Sequence, residues 1–350
     1  MLSKLIGHKN TKQILVNILK SGKYANAYIF NGPRGVGKYT AAMQFAIAVC
    51  GEKYRNEIES YRFPDILSVY PALKKNLSSN GSLIASMTEN LSKFEAYKRG
   101  DSKNKADNPF SISGNETISI DAVREVIGYV SSKTYVSEKR VVIVKNADMM
   151  RKEGANSFLK ILEEPPANTL FILTADNPNF ILPTIVSRCQ SIKFSYLRSE
   201  EIRDYLSAQK YEGSIDDAVW FLEGSLENLS ILLKSKMDIS RERIIKDFVE
   251  YDISDIESYF AEFDKKGYDG FFLKFFIRTV SKIISEALNE TGEEKSLLKY
   301  RIALAEKFTK DELFKLASGI SGLEGDSRIN IGAEYIIRHI MNLTAITREA

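Results

Sequence analysis

The sequence predicts an α/β fold, with a parallel-sheet domain followed by a small helical domain and an all-helical carboxy-terminal domain. Short apolar runs alternate with helical segments as far as about residue 195. A glycine-rich phosphate-loop pattern follows the first of these runs, and strand-like runs stop after residue 195. We place the domain boundaries at 1–194, 195–240 and 241–350, which suits a chain of 350 residues.

Short apolar runs predict the strands of the sheet. The runs are Ala27–Asn31, Ile66–Tyr70, a brief one at Ile118–Ile120, Arg140–Val144 and Leu170–Thr174. The last two carry apolar residues on both faces, as buried parallel strands do.

The stretch 72–117 is rich in Ser, Asn, Lys and Gly, unlike its surroundings. It predicts an insertion in a surface connection, helical around Thr88–Arg99 and mobile around Gly100–Asn108. Both a tolerated surface loop and a specific docking role remain open for it.

Helical spacing of apolar residues dominates the remainder of the chain. Ser199–Gln209, Ser214–Leu222 and Leu226–Lys236 predict the small helical domain. Beyond about Arg241 the predicted helices are Tyr268–Leu288, Lys295–Phe308 and Ile329–Arg348.

Composition excludes several classes of protein. A net charge of +3, with 27% charged and 44% apolar residues, is typical of a globular protein and not of a polycation that coats nucleic acid. Cys50 and Cys189 are the only cysteines, so no disulfide framework is implied. No signal-peptide pattern or membrane-spanning apolar run is evident, and we expect a cytoplasmic protein with no membrane partner.

A phosphate loop, FNGPRGVGKYT, lies between the first predicted strand and a predicted helix, Tyr39–Cys50. Its glycines allow backbone N–H groups to point at an anion, the helix start adds positive potential, and the lysine reaches the terminal phosphates. The candidate nucleotide-binding residues are Gly32, Gly35, Gly37, Lys38 and Thr40.

The magnesium site that accompanies such a loop lacks its usual ligands. Tyr39 takes the place of the expected Ser or Thr, and Thr40 lies about 100° further around the helix. The strand Val141–Val144 ends in Lys145 and Asn146, where an acidic pair would bind the cation and orient water. Asp148 lies four residues beyond the strand and is expected to be a helix cap or surface carboxylate. We therefore predict no metal and no ATP hydrolysis by this chain.

The segment Gly154–Gln190, GANSFLKILEEPPANTLFILTADNPNFILPTIVSRCQ, resembles the central region of bacterial DNA polymerase III clamp-loader subunits of the AAA+ family. Ala155–Pro166, Leu170–Thr174 and Leu182–Gln190 match the family pattern in order, and IGHKN…YANAYIFNGPRGVGK is similar to its opening. The resemblance covers roughly residues 4–71 and 118–240. It implies a P-loop AAA+ domain, a helical lid and a carboxy-terminal collar that joins subunits.

The resemblance implies a role for Arg188, in the Ser-Arg-Cys motif, as an arginine finger that acts in trans on ATP bound to a neighbouring subunit. An arginine that merely pairs with a surface carboxylate is the alternative. Motor subunits of the family keep the Ser/Thr and the acidic pair, whereas delta-prime subunits keep the finger and lose both, as this chain does. Glu227 follows Gly224-Ser225-Leu226, where motor subunits place a nucleotide-sensing arginine, and its charge would repel phosphate.

The implied partners are gamma/tau-type motor subunits and delta, the sliding clamp, and primer–template DNA contacted through the complex. The chain would then belong to a DNA polymerase holoenzyme without ATPase activity of its own. Many members carry a four-cysteine zinc module near the position of Cys50, but no further cysteines follow here, so we predict no zinc.

Three questions stay open at this point. The loop either binds ATP or ADP weakly without magnesium, or is retained only for the fold. A catalytically active motor-type ATPase is a rival function that requires Thr40 and Asp148 to rebuild the metal site. A stand-alone nucleotide-binding switch is a second rival, in which Arg188 would have no use.

Overall fold

A computed structural model gives the fold of the chain. The structure describes residues 2–73, 82–99, 116–227, 229, 232–233, 240–250, 253–265, 269–290, 297–326 and 335–342. It divides into two compact units, one of residues 1–202 with 224–227 and one of residues 203–223 with 228–350. The predicted domain limits at 194/195 and 240/241 stay predictions.

The first unit is built on a parallel sheet of five strands in the order β2-β3-β4-β1-β5. The strands are β1 (Ala27–Asn31), β2 (Ile66–Val69), β3 (Arg140–Val144), β4 (Thr169–Ala175) and β5 (Gln190–Lys193). Every side chain of β3 and β4 is buried, which explains the continuous apolar runs in the sequence.

Helix α1 (Lys9–Ser21) precedes the first strand. The helices between strands are α2 (Lys38–Cys50), α3 (Arg55–Glu59), α4 (Leu83–Arg99), α5 (Ile120–Ser131), α6 (Lys152–Glu163) and α7 (Pro183–Val186). Helix α8 (Ser199–Ala208) follows β5, and the second unit begins within it, at Arg203.

The core of this unit has two apolar layers, one on each face of the sheet. Because successive residues of a strand point to opposite faces, Val142 and Val144 join one layer while Val141 and Ile143 join the other. Helix α2 supplies the second layer with Phe45, a residue that is fully buried. The sheet is thus fixed from both sides.

Two strand predictions need correction. Ile118–Ile120 is not a strand of the sheet, because Ile118 forms only an isolated bridge to Met150 and α5 begins at Ile120. The Ser119 hydroxyl accepts a hydrogen bond from Ala122 N at 3.3 Å, so this residue starts the helix. Strand β5 was not predicted, since Ile192 is its only buried side chain.

The polar insertion contributes a helix to the core. Helix α4 starts at Leu83, earlier than the predicted Thr88, and its Met87 and Leu91 are buried in the first apolar layer. Glu125 of α5 accepts hydrogen bonds from the backbone N–H groups of Leu83 at 2.9 Å and Ile84 at 3.1 Å. This part of the insertion is therefore structural, and the predicted mobile stretch around Gly100–Asn108 lies outside the described residues.

In the described part of the second unit, the regular secondary structure is entirely helical. Its helices are α9 (Ile215–Leu222), α10 (Arg241–Glu250), α11 (Ile253–Asp264), α12 (Asp269–Leu288), α13 (Leu298–Lys307) and α14 (Lys310–Asp326). Most of Leu226–Lys236 and of Ile329–Arg348 lies outside the described residues. Within the ranges that are described, no helix has the length and apolarity required to cross a bilayer.

Candidate functional site

The phosphate loop follows β1 and leads into α2 at the carboxyl edge of the sheet. Gly32, Gly35 and Gly37 adopt φ angles of 148°, 76° and 94°, which favour glycine. A Cβ at Gly32 would overlap the carbonyl oxygen of Phe194, and one at Gly35 would overlap Ser225 Oγ. Helix α2 begins directly after this loop, and a helix amino terminus is a favourable place for an anion, so the loop suits phosphate groups.

Lys38 is buried and all three of its ammonium donors are used. Its Nζ donates to the carbonyl oxygens of Gly32 at 2.7 Å and Pro33 at 2.5 Å, and to Asp176 Oδ1 at 2.8 Å. Asp176 directly follows β4, the strand beside β1, so the parallel register brings it to the loop. Asp176 was not among the residues predicted from the sequence, although its position directly after a buried, strand-like run could have indicated it.

Tyr39 turns its hydroxyl to protein partners. Its Oη lies 3.0 Å from Tyr61 Oη and donates to Ser68 Oγ of β2, also at 3.0 Å. Burial raises the pKa of Tyr39 to about 12, so the phenol stays protonated. It therefore cannot serve as an anionic cation ligand, and Thr40 lies half-buried beside it in the first turn of α2.

Lys145 occupies the carboxyl end of β3, where a metal-binding carboxylate was expected. Its Nζ lies 5.5 Å from the centre of the Tyr39 ring. Burial, followed by the positive charge of Arg34, lowers the pKa of Lys145 to about 7. The next residue, Asn146, donates from Nδ2 to Asp176 Oδ2 at 3.3 Å.

Asp148 stabilises the turn after β4. Its Oδ2 accepts hydrogen bonds from the backbone N–H groups of Asp176 and Asn177, both at 3.0 Å. Burial raises the pKa of this carboxyl group. The prediction of a helix cap or surface carboxylate is thus corrected, because Asp148 is half-buried and holds a loop.

These residues fit phosphate but not magnesium. Lys145 offers a nitrogen and not the anionic oxygen that Mg²⁺ prefers, while the Asp176 carboxylate is shared by Lys38 and Asn146. Nowhere in the described ranges do three or more His, Cys, Asp or Glu side chains gather as metal ligands. The expected absence of zinc stays a prediction.

The segment Gly224–Glu227 lies against the phosphate loop. Leu226 N donates to Gly35 O at 2.8 Å, and Glu227 pairs with Arg34 at 2.8 Å. Glu227, which the sequence suggested would repel phosphate, thus neutralises an arginine of the loop in this structure. The bridge is partly exposed, so its contribution to stability is small.

Arg188 lies at the amino ends of the strands, opposite to the phosphate loop, which lies at their carboxyl ends. It precedes β5 by two residues, and Gln190 of β5 is paired with Tyr28 near the start of β1. Because β1 and β5 are parallel, Arg188 lies at the amino edge and the loop after β1 at the carboxyl edge. Arg188 is therefore directed away from the phosphate loop of its own chain.

Two groups hold the Arg188 side chain. Its Nη1 donates to Thr184 O at 2.9 Å, and its Nη2 pairs with Glu163 Oε1 at 2.7 Å. The side chain is 36% exposed, and Glu163, at the end of α6, is 49% exposed. The structure thus shows the pairing with a surface carboxylate that the sequence left as an alternative, and Glu163 was not anticipated.

Comparisons with known proteins identify relatives. The family described as DNA polymerase III, delta subunit, matches residues 7–198. The DNA polymerase III subunit delta' of Bacillus subtilis is 28% identical over 273 residues, which cover 75% of this chain and 67% of that protein. The tau subunit of the same organism is 26% identical over 243 residues, covering 67% of this chain and 38% of tau. This chain thus spans well under half of tau.

A solved structure is also similar. It is a DNA polymerase III gamma subunit-related protein from Thermotoga maritima, with 16% identity and a TM-score of 0.46, and it covers 97% of this chain and 98% of that chain.

Proposed function

Because the chain belongs to the DNA polymerase III delta-subunit family, whose members act in clamp loading, we propose that it is a delta-prime-type subunit. In this proposal it does not hydrolyse ATP. It supplies Arg188 to the ATP of a neighbouring motor subunit during clamp loading in DNA replication. The position of Arg188 at the amino edge of the sheet is the observation that carries the proposal.

The metal site supports the absence of hydrolysis. A P-loop ATPase needs a hydroxyl after the loop lysine, a carboxylate that holds magnesium, and a base that orients water. Here the Tyr39 hydroxyl follows the lysine and forms hydrogen bonds with the hydroxyl groups of Tyr61 and Ser68. Lys145 stands where the magnesium-binding carboxylate would be expected. Asp148, the carboxylate that the motor-type alternative requires, is engaged by two backbone N–H groups.

The surroundings of Arg188 support a role in trans. A guanidinium beside a transferring phosphoryl group stabilises the charge of the transition state and increases the rate on the order of 10³–10⁵-fold. Arg188 is partly exposed and has two anchors on its own chain, Thr184 and Glu163. A neighbouring subunit would reach it without any unfolding of the sheet.

The partners follow from the same proposal. They are motor subunits of the gamma/tau type and delta, with the sliding clamp and primer–template DNA engaged through the complex. We assign residues 241–350 to the collar that joins the subunits, and residues 195–240 to the lid. A cytoplasmic location goes with a replication role.

The test is ATPase activity of the purified chain, alone and mixed with motor and delta subunits, clamp and primed DNA. We expect the chain alone to be inert and Arg188→Ala to reduce the rate of the mixture severely. Arg188→Lys is the matched control, because it keeps the charge but loses the planar fork of donors, and we expect it to restore only part of the rate.

Two outcomes contradict the proposal. If Arg188→Ala leaves the rate of the mixture unchanged, Arg188 is not a finger. If the chain alone turns over ATP, and Lys38→Ala abolishes that turnover, the motor-type alternative replaces the delta-prime reading.

A further inference from the structure

We propose that Glu163 is a positioning residue for Arg188. Its carboxylate holds the guanidinium at the amino ends of the strands, in the direction in which Arg188 reaches the ATP of a neighbouring subunit. This inference rests on the proposed function, because it takes Arg188 to act in trans. It goes further by naming a second side chain of this chain on which hydrolysis in the neighbour depends.

Two contacts from different helices fix the direction of the Arg188 side chain. Its Nη1 donates to Thr184 O at 2.9 Å, and Thr184 lies on α7, four residues earlier in the sequence. Its Nη2 donates to Glu163 Oε1 at 2.7 Å, and Glu163 is the last residue of α6, 25 positions away. An arginine side chain has many rotamers. The contact with the neighbouring turn restricts them only in part, and the contact with a second helix restricts them further.

Both supports are attached to the core of the first unit. Leu162, next to Glu163, and Ile185, next to Thr184, are 6% and 1% exposed and belong to the same apolar layer. Helices α6 and α7 also pack against each other. Because closely packed interiors keep their side chains in place, the two supports keep a fixed separation. The direction of Arg188 is therefore set by the fold before any neighbour binds.

The two contacts leave donors for a phosphate group. A guanidinium carries five N–H donors in a planar fork. Within the described ranges two of them have protein partners, Thr184 O and Glu163 Oε1. The others belong to a side chain that is 36% exposed. A phosphoryl group can thus bind Arg188 while Glu163 stays in place, so the pairing holds the guanidinium ready and does not block it.

The effect of this pairing belongs to the rate and not to the fold. Glu163 and Arg188 are both exposed by a third or more, and ion pairs of this kind contribute little to stability. Alignment of a catalytic group acts on the rate directly, and a displacement of about 1 Å can lower it on the order of 10²-fold. Since the contact with Thr184 remains when the carboxylate is removed, we expect a smaller loss for Glu163.

The experiment is a double-mutant cycle in the ATPase of the mixed clamp loader, with Glu163→Gln, Arg188→Ala and both changes together. We expect Glu163→Gln alone to lower kcat by about three- to tenfold with little change in the KM for ATP, as for an interaction that acts in the transition state. Added to Arg188→Ala, it should cause no further loss, because a positioning residue acts only through the residue that it positions.

Two further variants sharpen the result. Glu163→Asp keeps the charge on a shorter side chain and should retain more of the rate than Glu163→Gln. Glu153→Gln removes the same charge from an exposed site at the other end of α6, and we expect an unchanged kcat. Thermal unfolding of each variant verifies its fold.

The outcomes separate this inference from the proposed function. If Arg188→Ala slows the mixture severely while Glu163→Gln keeps the full rate, Arg188 remains the finger and positioning by Glu163 is overturned. A further loss in the double variant, or a raised KM at unchanged kcat in Glu163→Gln, would also overturn it, because Glu163 would then act by another route. If Arg188→Ala itself leaves the rate unchanged, the proposed function fails and this inference fails with it.

Discussion

At the scale of single residues, the site depends on charges placed at strand ends. A lysine at the protein surface has little effect on the free energy of folding. Lys145, in contrast, is half-buried near the positive charges of Arg34 and Lys38. Its ordinary pKa of 10.5 falls to about 7, mainly because burial disfavours the charged form.

The first prediction is that Lys145→Met stabilises the chain in a pH-dependent manner. Between pH 7 and pH 10.5 the unfolded chain keeps a proton on Lys145 that the folded chain has released, so stability rises with pH over this window. The penalty is complete at pH 7 and below. We expect Lys145→Met to increase the free energy of unfolding by about 1–3 kcal/mol at pH 6.5, and by less at pH 9.

Thermal unfolding followed by circular dichroism at the two pH values measures this difference. Lys160→Met is the control, because its side chain is exposed and should give no pH-dependent gain. An equal stabilisation by Lys145→Met at pH 6.5 and pH 9 would show that the Lys145 ammonium carries no penalty in the fold.

The second prediction concerns Glu163, which pairs with Arg188 at 2.7 Å. Exposed ion pairs contribute little to stability, so Glu163→Gln should change the free energy of unfolding by less than about 0.5 kcal/mol. If Glu163 positions the finger, the mixed clamp loader should lose about three- to tenfold in kcat with little change in the KM for ATP.

Glu164→Gln provides a matched control, since it removes the same charge from the next residue, also exposed. We expect it to leave kcat unchanged. Equal rates for Glu163→Gln and the unaltered chain would mean that Arg188 finds its position through Thr184 or through the neighbouring subunit alone.

At the scale of elements, sequence patterns succeeded where burial is two-sided. The predicted β1 and β3 match the observed strands, because every side chain of β3 is buried and so is every side chain of β1 except the last. β5 was not predicted because it is an outermost strand of the sheet and has only one buried side chain, Ile192. Ile118 and Ile120 suggested a strand, but Ser119 between them caps helix α5, which begins at Ile120.

The candidate site divides in the same way. The phosphate loop and its glycines were predictable because adjacent residues specify that geometry. Asp176 and Glu163 were not, because they meet Lys38 and Arg188 only through contacts over 138 and 25 positions of sequence. Which residues meet in this way depends on the order of the strands in the sheet, and a pattern of neighbouring residues does not specify that order.

The third prediction is that helix α4 is required for the stability of the first unit. Leu91 is 1% exposed and packs in the apolar layer, so Leu91→Ala leaves a cavity. We expect a loss of about 2–4 kcal/mol in the free energy of unfolding, measured by urea denaturation. Lys93→Ala, on the exposed face of the same helix, should cost less than about 0.5 kcal/mol. If both variants lose less than about 0.5 kcal/mol in the free energy of unfolding, helix α4 is not required for stability, and the whole insertion is a tolerated surface loop.

At the scale of the whole molecule, the parallel sheet separates two tasks. Strand polarity places the phosphate loop at the carboxyl edge and Arg188 at the amino edge of the same five strands. In a ring of similar subunits, one edge of each faces the opposite edge of the next. If Arg188 is the finger that we propose, a subunit that keeps it and has an altered loop suits an end position, where only one of its two sides completes an ATP site.

The last prediction concerns the collar role that we propose for residues 241–350. Helix α13 buries Tyr300 and Leu304 within its unit, while Leu298 and Ile302 are 40% and 48% exposed on its outer side. Apolar side chains four residues apart share one face of a helix, and an exposed apolar pair of this kind suits contact with another subunit. We expect Ile302→Asp to leave the isolated chain folded, as judged by circular dichroism, but to reduce its incorporation into a complex with motor and delta subunits on size-exclusion chromatography.

Ser318→Asp, which adds the same charge at an exposed polar site on α14, should assemble normally. If Ile302→Asp assembles as well as that control, the outer face of α13 is not a collar contact, and the collar has to use another surface of the second unit.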